Sequence, residues 1–222
     1  MLKVNEVFET IQGEGSFTGV PAIFVRLQGC PVGCPWCDTQ HTWVVDDSAQ
    51  IPVTDLLAKR ADSPQYSNLT VSDLIQVFAQ EHYTARHVVI TGGEPCMYDL
   101  TDLTQTLHAQ GFSTQIETSG TFEVRCDDAT WVTVSPKIDM PGGYSVLPSA
   151  MARANEVKHP IAMQKHIDDL DALLADNPVR DDVSISLQPI SQRPRATELA
   201  ISTCIQRNWR LSLQTHKYLG IE

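Results

Sequence analysis

Positive charge is scarce in this chain. Sixteen lysines and arginines stand against twenty-seven aspartates and glutamates, a formal net charge of −11. That sign weighs against a nucleic acid or an anionic membrane as partner. No apolar run approaches the ~18 residues a membrane-spanning helix needs. The opening residues MLKVNEVFETIQGEG contain no basic stretch followed by an apolar one, so no secretory signal is expected. Repeats and low-complexity tracts are missing as well. What is present is ordinary for a globular enzyme: 222 residues, 42% hydrophobic and 19% charged, enough to bury a real core. A cytoplasmic setting is the expectation, and in that reducing compartment clustered cysteines point to metal or redox chemistry rather than disulfides.

Short β-branched runs alternate with amphipathic segments. Strands are expected at 22–29, 87–93, 113–118, 131–136, 155–159, 183–190 and 209–216, most of them apolar on both faces as in a helix-covered parallel sheet. Thr70 and Asp73 have capping-box spacing ahead of Val71, Leu74, Ile75 and Phe78. Leu100, Leu103 and Leu107 form one helical stripe, and Ile167, Leu170, Leu173 and Leu174 another; 196–207 is a further helix. The alternation predicts an α/β fold of βα repeats, either an open doubly wound sheet or a full or partial βα barrel. One domain is expected over 1–222, with a polar insertion at about 46–68 that the pattern does not place. Polar, glycine-bearing ends follow the strands at TGGEP, ETSG, SPK, QPIS and QTHK, and in βα folds such ends converge on one site.

Cys30, Cys34 and Cys37 lie in LQGCPVGCPWCDTQHTW with the spacing C-x3-C-x2-C, among prolines and glycines that forbid a regular helix. The segment must wrap around something. A structural zinc site needs four ligands, and His41 offers to complete a Cys3His set, as in a zinc-binding interaction module. Three buried thiols with no partner is a second reading. The third is an iron–sulfur cubane, in which three thiolates leave one iron open for chemistry.

The spacing, with Trp36 just before the third cysteine and TGGEP at 91–95, resembles the radical S-adenosylmethionine superfamily. FETIQGEGSFTGVPAIFVRLQGCPVGCPWCDTQHTW, HVVITGGEP, IETSGT, TVSPK, LQPIS and QTHKYLGI extend the resemblance along most of the chain to the 7-carboxy-7-deazaguanine synthase family within it. Residues 44–69 and 145–182 match least. The glycyl-radical activases share the cysteine spacing and the modest length, and are the second enzyme reading.

The resemblance implies a partial, trimmed TIM-like βα barrel of the radical SAM type, holding a 4Fe-4S cluster on Cys30, Cys34 and Cys37. S-adenosylmethionine would dock on the open iron. Trp36, Cys37, Asp38, Gly93, Ser135, Pro136 and Lys137 match its contacts, with Glu117 and Gln188 as weaker candidates. Gly93 would leave it room. Thr39 matches the family's magnesium ligand. Ile11, Gln12, Gly13, Glu14, Arg26, Thr91 and His216 match the contacts of a pterin substrate, and the terminal carboxylate reaches it in this family. Arg26 suits a substrate carboxylate because its fork binds one in two places. The implied reaction is a lyase-type ring contraction of 6-carboxy-5,6,7,8-tetrahydropterin with loss of ammonia, on the way to queuosine. An electron donor such as flavodoxin and a homodimer go with it. Cys96, Cys126 and Cys204 lack ligand spacing and are expected to pack.

Overall fold

The computed structural model describes residues 1–190 and 193–221. The chain opens with β1 (Leu2–Ile11), which turns back as an antiparallel hairpin into β2 (Pro21–Leu27). After the cysteine loop come α1 (Val53–Leu57), β3 (Ser67–Leu69) and α2 (Val71–Gln80). Then strands and helices alternate: β4 (His87–Gly92), α3 (Thr101–Ala109), β5 (Ser113–Thr118), β6 (Trp131–Val134), α4 (Pro148–Arg153) and β7 (Glu156–Ile161). The chain continues with α5 (Gln164–Asp176), β8 (Ser184–Pro189), α6 (Pro194–Arg207), β9 (Arg210–Leu211) and α7 (Thr215–Leu219).

All nine strands form one sheet in the order β3-β1-β2-β4-β5-β6-β7-β8-β9. From β2 to β9 the pairing is parallel; β1 pairs antiparallel with both β2 and β3. The sheet is an open, partial barrel. Val25, Val88, Ile90 and Ile116 pack outward against Leu74 and Phe78 of α2 and Leu103 and Leu107 of α3. A second cluster joins Val132, Val134, Val157 and Leu187 to Ile167 and Leu170 of α5 and Ala200 and Cys204 of α6. Alternation puts the intervening residues on the inner face. There Gln115, Thr133, Glu156 and Ser186 are buried and polar, so the expectation of strands apolar on both faces fails for β5 to β8. Their hydrogen bonds satisfy them: Thr133 Oγ1 donates to Glu156 Oε2 at 3.2 Å and Ser186 Oγ to Glu156 Oε1 at 2.8 Å.

The hairpin loop after β1 crosses under the inner face and floors it. Phe17 stacks on His87, centroids 4.4 Å apart, and meets Trp131 edge-on at 5.2 Å. Gln12 Nε2 donates to Gln115 Oε1 at 3.3 Å, and the amide of Ser16 to Glu156 Oε2 at 3.2 Å. The seam beyond β9 is bridged to this loop. Thr215 donates through its amide and its hydroxyl to the Gly13 carbonyl at 2.9 and 3.0 Å, and the Gly15 amide donates to Ser212 Oγ at 3.0 Å.

Several expectations need correcting. The cysteine loop follows the second strand, not the first, because 2–11 is itself a strand. Residues 209–216 are mostly not strand: only Arg210 and Leu211 pair, and Thr215 begins α7. The insertion is not merely polar. It buries Leu56, Tyr66 and Ser67, and leads into β3 at the sheet edge beside β1. The capping box is present: Thr70 Oγ1 accepts from the Asp73 amide at 3.1 Å while Asp73 accepts from the Thr70 amide at 2.9 Å. Ser191 of the LQPIS motif and the terminal carboxylate at Glu222 lie outside the described residues.

Candidate active site

The cysteine loop leaves the C-terminal end of β2 and is tied down on several sides. Gly29 and Cys30 donate to the carbonyls of Thr42 and Trp43 at 2.7 and 3.0 Å, and the amide of Glu94 donates to Gly29 at 2.8 Å. Gly29 and Gly33 turn the loop with φ of +104° and +72°, which glycine alone adopts freely. All six cysteines are free thiols. Burial pushes Cys30 up to about 11 and Cys34 upward as well. Adjacent thiolates at such a place need a cation to compensate them, and metal binding releases their protons.

The donor set separates zinc from a cluster. Tetrahedral zinc with Zn–S bonds of about 2.3 Å holds its sulfurs about 3.8 Å apart. Among the described residues, one set of three ligating side chains brings its atoms within 4.8 Å of one another, and it is Glu6, His41 and Asp62. That set joins His41 to Glu6 and Asp62 and to none of the loop cysteines, so among the described residues no Cys3His site is formed. A cubane, which spreads its thiolates over separate irons, fits the wider loop. Trp43 Nε1 donates to Cys37 Sγ at 3.4 Å, a further support for a thiolate there, and Thr39 Oγ1 lies 3.5 Å from the same sulfur.

Beneath the loop lies a cavity of about 720 Å³. Its lining includes the three cysteines, Trp36, Asp38 and Thr39. Ile11, Gln12, Gly13 and Glu14 from the floor, and Arg26, Thr91, Gly93 and Glu117 from strand ends, also line it. Ser135, Lys137, Gln188 and His216 complete the expected residues found there. Pro136 does not face it. It lines a smaller cavity of about 200 Å³ on the other side of Trp36, with His159, Pro160 and His166.

Gly93 has a reason within the protein itself. A Cβ there would stand 2.1 Å from the Gly29 carbonyl oxygen, so the loop backbone excludes a side chain. Gly13 likewise abuts His216, whose Nδ1 would be 2.4 Å from an added Cβ. Glu94 of TGGEP is buried and latches β4 to β5, accepting from Thr118 Oγ1 at 2.6 Å, from the amide of Ser119 at 2.8 Å and from the hydroxyl of Ser119. Lys137 Nζ donates to Ser135 Oγ at 2.6 Å and to its carbonyl at 2.8 Å; burial lowers its pKa. Gln188 Oε1 accepts from Ser212 Oγ at 2.8 Å.

Arg26 and Thr91 are register partners on neighbouring strands and both reach the cavity. Glu6 Oε2 accepts from Arg26 Nε at 2.7 Å, which leaves the terminal nitrogens of the fork as the donors for a substrate anion. Glu6 and Lys158 are among the lining residues that the sequence reading did not single out. Glu6 carried no motif. Lys158, in the strand run NEVKH, carried none either, yet its Nζ lies 2.6 Å from Glu14 Oε2 and 3.0 Å from Glu117 Oε2.

Residues 24–129 match the model of the radical SAM superfamily. The chain is 59% identical over 220 residues to the 7-carboxy-7-deazaguanine synthase of Escherichia coli K12, covering 98% of each protein. The enzyme of that name from Buchnera aphidicola is 44% identical, again over 98% of each. The crystal structure of QueE from Escherichia coli superposes with a TM-score of 0.93 at 57% identity, covering 96% of this chain and 93% of that one.

Proposed function

The chain belongs to the radical SAM superfamily and, within it, to the 7-carboxy-7-deazaguanine synthase family, and from that premise we propose that it converts 6-carboxy-5,6,7,8-tetrahydropterin to 7-carboxy-7-deazaguanine with loss of ammonia. The observation that carries the reading is the meeting, in one cavity, of a three-thiol loop with Arg26 and Glu14. A guanidinium fork suits the carboxylate of this pterin, and a carboxylate suits its N–H edge.

Cys30, Cys34 and Cys37 would hold the 4Fe-4S cluster. When bound, the cluster and S-adenosylmethionine supply a 5′-deoxyadenosyl radical, at the cost of an electron from a donor such as flavodoxin. Trp36, Asp38, Gly93, Ser135 and Lys137 are assigned to S-adenosylmethionine, with Glu117 and Gln188 below it and Pro136 contributing through the wall it shares with Trp36. Thr39 is assigned to magnesium, a cation that keeps most of its waters and takes few protein oxygens. Gln12, Glu14, Arg26, Thr91 and His216 orient the pterin, and the backbone of Ile11 and Gly13 lies flat beneath it. The reading extends to a cytoplasmic homodimer serving tRNA modification through queuosine.

The test is anaerobic reconstitution with iron and sulfide, then incubation with the carboxytetrahydropterin, S-adenosylmethionine and a reductant. Deazaguanine product and ammonia are expected in equal amounts, over many turnovers per S-adenosylmethionine. Stoichiometric consumption of S-adenosylmethionine with no pterin product would favour the glycyl-radical activase instead. An intact cluster with neither outcome sinks both.

A further inference from the structure

Lys158 belongs to no motif, yet the cavity's charges are arranged around it. It projects from β7 and is 4% exposed. Its ammonium sits 2.6 Å from Glu14 Oε2, on the floor loop, and 3.1 and 3.0 Å from the two carboxylate oxygens of Glu117, on β5. Each carboxylate has one more fixed donor. Gln214 Nε2 reaches Glu14 Oε1 at 2.9 Å, and Gln115 Nε2 reaches Glu117 Oε1 at 2.9 Å. The other charged or titratable groups facing them are Glu156 on β7, Lys137 beyond β6 and His216 on α7.

One buried ammonium therefore serves two carboxylates, and it serves them unequally. Burial alone would raise Glu14, but Lys158 and Gln214 overrule it and hold the group at about 2. For Glu117 burial prevails: with Glu14 and Glu156 nearby, it is raised to about 7 in spite of Lys158.

We propose that Lys158 is a positioning residue of the ring-contraction site: it locks Glu14 as an ionised, acceptor-only group for the N–H edge of the pterin, and leaves Glu117 as the group that exchanges a proton in the cavity. The inference rests on the pterin reading above. The pyrimidine edge of a pterin presents a ring N–H beside an exocyclic amino group, and an ionised carboxylate accepts both. A protonated Glu14 would set a donor against a donor. Removing the ammonium would leave two carboxylates facing each other with no cation between them, so one would stay protonated well above its ordinary range.

The test uses the reconstituted holoenzyme. The pH profile of kcat/KM for the pterin is measured for the unmodified protein and for Lys158→Met, Lys158→Arg and Glu14→Gln, with iron and acid-labile sulfide per chain as the loading check. The unmodified enzyme should show an ionisation near neutrality. Lys158→Met should raise KM by roughly 30-fold or more and move that midpoint alkaline by about one pH unit or more. Lys158→Arg should hold the midpoint. Glu14→Gln should move it the other way, since Glu117 then has the ammonium to itself and one negative neighbour fewer. A KM within about twofold of the parent together with an unmoved midpoint in Lys158→Met overturns the proposal. If that variant does not load iron, Glu14→Gln decides: an unmoved midpoint there overturns it too. Failure of the unmodified enzyme to convert the pterin sinks the ring-contraction reading itself, a separate result.

Discussion

Gly93 presses its Cα against the carbonyl of Gly29, leaving 2.1 Å where a β-carbon would stand. Two backbones, one at the end of β4 and one at the root of the cysteine loop, are thus in direct contact, fastened on either side by the Gly93 amide to Leu27 and the Glu94 amide to Gly29, both at 2.8 Å. Gly93→Ala must push the loop off β4. Overpacking of this kind costs about 1–3 kcal/mol, and iron loading should fall with it. Iron and acid-labile sulfide per chain, read beside a thermal melt, check the outcome; parent-like loading would show that the loop yields freely.

Trp43 Nε1 donates to Cys37 Sγ at 3.4 Å. Hydrogen bonds to cluster sulfurs favour the reduced, more negative state and so raise the potential. Trp43→Phe keeps the ring and removes the donor. Its cluster should assemble but titrate at a more negative potential than the parent, followed by electron paramagnetic resonance, and turnover with a weak reductant should slow. An unchanged potential would remove Trp43 from the tuning of the cluster.

Glu6 holds Arg26 by Nε, and Phe8 lies under the guanidinium with its centroid 5.8 Å from the central carbon. Arg26→Lys keeps the charge and loses the fork. KM for the carboxypterin should rise by roughly 10- to 100-fold, with kcat changed less. Glu6→Gln, which only loosens the fork, should cost less than Arg26→Lys. Steady-state kinetics on the two variants settle the order; equal losses would mean that Glu6 touches substrate directly.

His159 is 5% exposed, and neither ring nitrogen has a hydrogen-bond partner. Burial, helped by the nearby Lys137 ammonium, lowers its pKa from 6.5 to about 4. The unfolded chain takes up a proton below about 6.5 that the folded one refuses until about 4. Stability should therefore be intact above pH 6.5 and decline as pH falls through that window. His159→Phe should flatten this part of the decline, as measured by urea midpoints at several pH values. A parallel decline in both proteins would assign the acid sensitivity elsewhere.

The cysteine loop and TGGEP were legible because their chemistry needs particular residues at particular spacings, and the helices because leucine stripes are periodic. β1 was not. Its sequence LKVNEVFETI reads as mixed because the hairpin is irregular between Val4 and Glu6 and its inner face carries Glu6, Phe8 and Thr10. Lys158 and Glu6 were invisible for another reason. Each acts through a partner on another element, Glu6 across the hairpin to Arg26 and Lys158 across 144 residues to Glu14, and no local pattern announces such a pair. The strand expected at 209–216 failed because its hydrophobic alternation serves a two-residue edge strand, after which the chain is needed at the floor loop. Gly93 lines the cavity, and the close approach of two backbones that forbids it a side chain cannot be read from either one alone.

The bridge between residues 212–215 and 13–15 has a kinetic consequence. These contacts join partners 197 and 202 positions apart, among the slowest kind for a chain to find. The parallel strands and their helices can assemble before that bridge exists, but the floor then hangs open on one side. During synthesis the first residues of the pocket must wait for partners 197 and 202 positions further along, so the cavity's floor is secured only after the strands and helices between them have been made.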